Sequence, residues 1–184
     1  SATLTNQSLE TLRSLFGVGG AFESLAAVRL RPEPDYWIAT ADESTRDARV
    51  MEALHHVPRP LVLYVTEVKQ AEMWRRSLQS AGFGRLGMVH GKTSREDRES
   101  VVSKWRDGLI DIVVGTSAFG LGIDYPHARS VVHACVPETL DRFYQEVGRG
   151  GRDGKAALSL IAPKPSDFRM AERISLQKVI TVDR

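Results

Sequence analysis

The sequence predicts an α/β fold, a doubly wound and mostly parallel sheet with helices on both faces. Two observations carry this. Four short runs, residues 61–65, 112–115, 131–135 and 157–162, are almost wholly apolar and rich in Val, Ile and Leu, the composition of strands buried on both sides. Between them lie segments whose apolar residues recur at helical spacing, and strand–helix alternation is how a parallel sheet is connected. With 184 residues and 42% hydrophobic content, the chain can bury one core of this kind.

The elements follow in chain order. A short helix is expected from about Asn6 to Phe16, with Leu9, Leu12, Leu15 and Phe16 on one side and Gly17 ending it. Residues 25–30 read as extended, and Arg31-Pro32-Glu33-Pro34-Asp35-Tyr36-Trp37 as a proline-punctuated connection. After the strand at 61–65, Val68, Ala71, Trp74, Leu78 and Ala81 fall on one helical face, and Gly82 supplies the stop. Ser94 followed by Asp97 opens the next helix in the manner of a capping box, with Val101, Val102 and Trp105 inward. A third helix begins near Thr139 and carries Phe143, Tyr144 and Val147. Trp74 and Trp105 stand at core spacing, so packing is expected of them rather than stacking on bases. His133 lies within an apolar strand and reads as structural.

Composition narrows the class. A formal charge of +2 with a pI near 8.8 permits nucleic-acid binding without requiring it. No run of about 18 apolar residues predicts a membrane span, and no signal peptide is visible. The lone Cys135 excludes an internal disulfide framework and a cysteine-rich zinc site. Its apolar neighbours make it a buried structural thiol. A reducing, cytoplasmic setting is expected, with a bacterial cytoplasm or nucleoid as the location.

Two stretches carry chemistry. Phe143-Tyr144-Gln145-Glu146-Val147-Gly148-Arg149-Gly150-Gly151-Arg152-Asp153-Gly154 sets two arginines three residues apart among four glycines. Glycine lets backbone turn tightly or approach a ligand closely, and the planar guanidinium fork matches phosphate oxygens. Upstream, Asp111-Ile112-Val113-Val114-Gly115-Thr116-Ser117-Ala118-Phe119-Gly120-Leu121-Gly122-Ile123-Asp124-Tyr125-Pro126 runs from a strand into a glycine-rich loop that ends in a carboxylate. In doubly wound sheets, ligands collect at such loops, beyond the carboxyl ends of the strands.

Together these stretches resemble motifs V and VI of superfamily 2 helicases, and among them the RecQ family of ATP-dependent DNA helicases. Leu121 stands where that family has Met, Phe143 in place of one Tyr, and Gly150 in place of Ala. His133 and Pro137 fall at the family's spacing. Residues 61–66 are similar to motif IV, and His90-Gly91 through Arg98 to a further family segment in which Lys92 and Thr93 depart from the expected Gly and Leu. Ser1-Ala2-Thr3 followed by Leu4-Thr5 is similar to motif III, at the end of the first motor domain.

The resemblance implies a RecA-like second motor domain at residues 38–184, preceded at 1–37 by the end of the first motor domain and a linker. It implies that Arg149 and Arg152, with Gln145, complete an ATP site and act in hydrolysis, and that Gly122 and Asp124 help to bind the nucleotide. It implies nucleic-acid contacts from His90, Gly91, Lys92, Thr116 and Ser117. The expected partners are single-stranded or partly duplex DNA and the first RecA-like domain of the same protein; no membrane is expected. ATP and Mg2+ would be used by the full-length enzyme, in DNA repair or recombination. The chain has neither a G-x-x-x-x-G-K-[ST] phosphate loop nor an Asp-Glu-x-His box, so the magnesium ligands are expected outside it and the fragment alone is expected to be inactive and to bind no cofactor tightly. Two alternatives stay open. A DEAD-box-type RNA helicase shares the arginine pair but has His-Arg where this chain has Gln145-Glu146. A non-catalytic RecA-like module would only bind nucleic acid or a partner.

Overall fold

In a computed structural model of the chain, residues 6–17, 31–120 and 127–177 are described. The chain divides into two compact units, Ser1–Arg31 and Pro32–Arg184. In the first, α1 spans Asn6–Phe16, where the leucine spacing placed it, and the Gly17 N–H closes it by donating to the Arg13 carbonyl at 2.8 Å. Residues 1–5 and 25–30, read as a motif III tail and an extended segment, lie outside the described residues.

The second unit runs β1 (Pro34–Ile38), α2 (Arg46–His56), β2 (Leu61–Tyr64), α3 (Val68–Ser80), β3 (Leu86–Val89), α4 (Arg95–Arg106), β4 (Ile112–Gly115), a 3-10 turn (Ser117–Gly120), β5 (Ser130–His133), α5 (Leu140–Val147), β6 (Ala157–Ile161) and α6 (Pro165–Gln177). The six strands form one sheet in the order β1-β6-β5-β2-β4-β3, and every pairing is parallel. The four apolar runs are its four inner strands. The linker expectation for residues 31–37 needs correction: Pro34–Ile38 is an edge strand, with Tyr36 in register with Ser159. That sheet pairing places the segment inside the second unit.

Apolar side chains alternate across the sheet, as strand geometry requires. On one face, Leu61, Leu63, Ile112, Val114 and Val132 pack with Val50 and Leu54 of α2 and with Ala71, Trp74 and Leu78 of α3. On the other, Val62, Val113 and Val131 pack with Trp105 and Phe119. Both tryptophans are buried core; truncating either to alanine would cost about 3–5 kcal/mol. Local signals act where they were read. Ser94 Oγ accepts from the Asp97 N–H at 3.0 Å, Thr139 Oγ1 accepts from the Arg142 N–H at 3.1 Å, and Gly82 follows α3 with φ +88°.

One buried ionic contact ties helices to the upper end of the sheet. Arg46 of α2 is buried, donates to the Ala134 carbonyl after β5, and lies 3.7 Å from Asp167 of α6. Burial pushes the Asp167 carboxyl up, against the pull of Arg46 and Lys164.

Candidate functional site

The sheet order changes direction around β2. From β2 the chain builds outward to β3, returns to β4, and then crosses to β5 on the opposite side of β2. A crevice opens beyond the strand ends at such a switch point. Here it is a cleft of about 190 Å3 lined by Tyr64, Thr66, Ser117, Cys135, Pro137 and Glu146, among others.

The candidate nucleic-acid residues collect on one side of this crevice, in loops leaving the adjacent strands β3 and β4. The Thr116 N–H donates to the Val89 carbonyl at 3.2 Å, which stitches the two loops together. In the first, His90 Nδ1 accepts from the Lys92 N–H at 3.2 Å and Thr93 Oγ1 accepts from the His90 N–H at 2.9 Å. The imidazole thus shapes its own turn, while Gly91 and Lys92 are exposed. In the second, Thr116 is buried, and its carbonyl accepts from the Phe119 N–H at 2.8 Å, initiating the 3-10 turn. Arg98 of α4 braces that turn by donating to the Ala118 carbonyl at 2.8 Å. Gly122 and Asp124 lie outside the described residues.

The arginines lie on the other side. α5 descends from the end of β5 and terminates at Gly148. Beyond it the chain is pinned by backbone bonds: Arg149 N–H to Glu146 O (3.2 Å), Gly150 N–H to Val147 O (2.9 Å) and Gly151 N–H to Ala128 O (3.0 Å). Gly150 also bridges Ala128 as a parallel partner. Asp153 accepts from Arg129 and from the Lys155 N–H at 3.2 Å and lies 3.2 Å from His127 Nδ1. Burial raises the Asp153 pKa, but the bonds from Arg129, His127 and Lys155 outweigh it and bring the value down to about 2. From this frame Arg149 emerges half-buried and Arg152 exposed, with Arg152 Nε donating to the Gly148 carbonyl at 3.0 Å. Gln145 is exposed one helical turn before Arg149. A rigid frame carrying two guanidinium groups can present fixed charge to a phosphate chain.

Between the two groups sits a buried polar cluster that the sequence did not disclose. Tyr64 and His133 are register partners on β2 and β5, and their rings stack with centroids 5.2 Å apart and planes 18° apart. His133 Nε2 lies 3.0 Å from Glu146 Oε2, and both residues are buried. The structural reading of His133 is correct in that its ring is wholly enclosed. Cys135 Sγ donates to the Tyr64 carbonyl at 3.5 Å, and burial pushes its thiol well up, as for an inert thiol. Among the described residues, no three His, Cys, Asp or Glu side chains are grouped to hold a metal ion, and no helix is long and apolar enough to cross a membrane.

Known proteins resemble this chain in sequence and fold. The helicase conserved C-terminal domain family matches residues 46–154. The "Probable ATP-dependent DNA helicase RecS" of Bacillus subtilis is 29% identical over 184 residues, covering 100% of this chain and 37% of that protein. The mouse ATP-dependent DNA helicase Q1 is 29% identical, covering 97% of this chain and 28% of its own length. The pre-mRNA-splicing ATP-dependent RNA helicase PRP28 of Cryptococcus neoformans is 32% identical over 145 residues, 78% of this chain and 19% of that protein. Among solved structures, Saccharomyces cerevisiae Dbp5 bound to RNA and ADP BeF3 superposes with a TM-score of 0.76 at 16% identity, over 95% of this chain and 48% of that one; the fold is thus the RecA-like one the motifs implied. The chain spans about a third of the length of its DNA-helicase relatives. With the RecQ resemblance upheld by those relatives, this chain belongs to the helicase conserved C-terminal domain family.

Proposed function

We propose that this chain is the second motor domain of an ATP-dependent, RecQ-like 3′-to-5′ DNA helicase. In that role it presents Arg149 and Arg152, with Gln145, to ATP and Mg2+ held by a first RecA-like domain. The observation that carries the reading is the pinned loop after α5, which holds two guanidinium groups on a frame bonded to the sheet through Ala128. Hydrolysis builds negative charge on the transferring phosphoryl group. An arginine supplied from a facing domain neutralises it, an effect of roughly 10³- to 10⁵-fold in comparable systems. Because that arginine arrives only when the two domains close, hydrolysis is tied to closure, and closure can move a bound strand. Gly122 and Asp124 would serve the nucleotide, and the loops with His90, Gly91, Lys92, Thr116 and Ser117 would address phosphates of single-stranded or partly duplex DNA. Such contacts position a strand without reading its sequence. The setting is the bacterial cytoplasm or nucleoid, in repair or recombination.

The purified chain, saturated with single-stranded DNA and ATP, should release no phosphate above background, because half of the site belongs to the other domain. Turnover comparable to an ordinary helicase would overturn this division of labour. The splicing RNA helicase at 32% identity favours a second reading, with RNA as the strand. Stimulation of the full-length enzyme by single-stranded RNA, but not by DNA, would establish that alternative.

A further inference from the structure

We infer that Tyr64, His133 and Glu146 form a buried positioning relay that seats Arg149 and ties its setting to the turn after β4. The inference rests on the helicase reading above and deepens it, since these side chains would act through the arginine and not on substrate.

α5 buries few of its own side chains. It has only eight residues, and Glu146 and Val147 are the two that are buried; Leu140 is 80% exposed. A short helix held by so little apolar area takes its orientation from specific bonds. One that reaches the sheet from its last turn is Glu146 Oε2 to His133 Nε2, at 3.0 Å. In the tautomer with its hydrogen on Nε2, the imidazole donates to the Glu146 carboxyl group. Arg149 stands three residues after Glu146 and is bonded through its N–H to the Glu146 carbonyl at 3.2 Å. Fixing the glutamate therefore fixes the arginine's point of departure.

The same imidazole is clamped on its faces. Tyr64 stacks on it at 5.2 Å, and Phe143 of α5 leans against it at 5.2 Å and 50°. Tyr64 continues the chain of contacts, because its ring lies 6.4 Å from Phe119, the fully buried residue of the 3-10 turn. Phe119 in turn packs on Trp105 at 5.6 Å, and its N–H is held by the Thr116 carbonyl. A displacement of the Thr116 loop by a bound strand thus presses on Phe119, then Tyr64, then the His133–Glu146 bond, then the root of Arg149. The Arg149 charge opposes the upward push of burial on the Tyr64 hydroxyl. A buried, hydrogen-bonded polar pair is commonly no better for stability than apolar residues of the same size, so a packing role alone does not account for a carboxylate here.

The test uses the full-length protein. ATP turnover and KM are measured with and without saturating single-stranded DNA for Glu146→Met, Glu146→Gln and Tyr64→Phe, in the wild-type and Arg149→Ala backgrounds, with melting temperature alongside. Glu146→Met keeps the bulk and removes the bond, Glu146→Gln keeps an acceptor, and Tyr64→Phe keeps the stack. Expected is a loss of about tenfold in DNA-stimulated kcat for Glu146→Met with KM nearly unchanged, rescue by Glu146→Gln to within about threefold, and an effect that shrinks below about twofold once Arg149 is alanine. Equal losses in both backgrounds would overturn the relay, as would a lowered melting temperature with normal turnover. Should Arg149→Ala alone hydrolyse ATP normally, the relay falls, since it has no arginine to act through; only if Arg152→Ala is normal as well does the helicase reading fall, so the two failures are distinct.

Discussion

A Cβ placed on Gly151 would stand 2.5 Å from the carbonyl oxygen of Lys155. Gly151 also holds φ +62°, a region in which an L side chain costs roughly 1–2 kcal/mol. Both constraints fall between the two arginines. Gly151→Ala should therefore lower the unfolding free energy by at least about 2 kcal/mol, strain and overpacking combined. Gly154 holds φ +77° with nothing within 4 Å of its Cβ position, so Gly154→Ala should cost only the strain, about 1 kcal/mol. Urea denaturation of the two variants separates them; equal losses would show that the Lys155 contact does not constrain the loop.

The Asp153 carboxyl predicts acid sensitivity of the same loop. Its pKa falls from the ordinary 3.8 to about 2 in the folded chain. A depressed folded value stabilises the fold above the unfolded pKa, and that contribution is lost as pH falls through the folded one. The urea midpoint of the wild type should drop between about pH 4 and pH 2 partly for this reason, and Asp153→Asn should flatten that segment of the curve while lowering stability near neutrality. A pH profile unchanged by the substitution would remove Asp153 as the loop's anchor.

Much of this architecture was legible in the sequence, and the two strands that were missed share a cause. The inner strands β2, β4, β5 and β6 each read as apolar runs because they are paired on both sides. The strands that went unread, β1 and β3, are the two edges of the sheet. β1 is exposed at four of its five positions, and Gly87 and Met88 interrupt the pattern in β3. Neither carries the continuous Val/Ile/Leu signal of a buried strand. α2 escaped because its inward stripe is short, Val50 and Leu54, and shares its buried face with Arg46; the spacing of Val50, Leu54 and Val57 was the available signal. The glycine-rich turn that carries the two arginines was legible from residue type and spacing, whereas the role expected of the arginines came from the family resemblance. The Tyr64–His133–Glu146 cluster was not, because it depends on β2 and β5 lying side by side in register, which no local pattern encodes.

The loops after β3 and β4 predict how the chain meets DNA. The isolated chain should bind single-stranded oligonucleotides weakly and without sequence preference, and affinity should fall as salt rises because bound counterions are displaced. Lys92→Ala should reduce the slope of log affinity against log salt by about 0.7, the contribution of one neutralised phosphate on a single strand. Fluorescence anisotropy with labelled oligonucleotides at several salt concentrations measures this. Salt-insensitive or strongly sequence-selective binding would contradict phosphate contact by these loops.

The most direct test of the central claim is steady-state, DNA-stimulated ATP hydrolysis by full-length protein carrying Arg149→Ala or Arg152→Ala. An arginine that acts in the transition state contributes to turnover more than to nucleotide affinity. At least one of the two should lose about 10²-fold or more in kcat while remaining folded, and lysine at that position should restore little, since an ammonium cannot reproduce the guanidinium fork. Folded alanine variants that both hydrolyse ATP and unwind DNA at near wild-type rates would show that neither arginine takes part in the reaction.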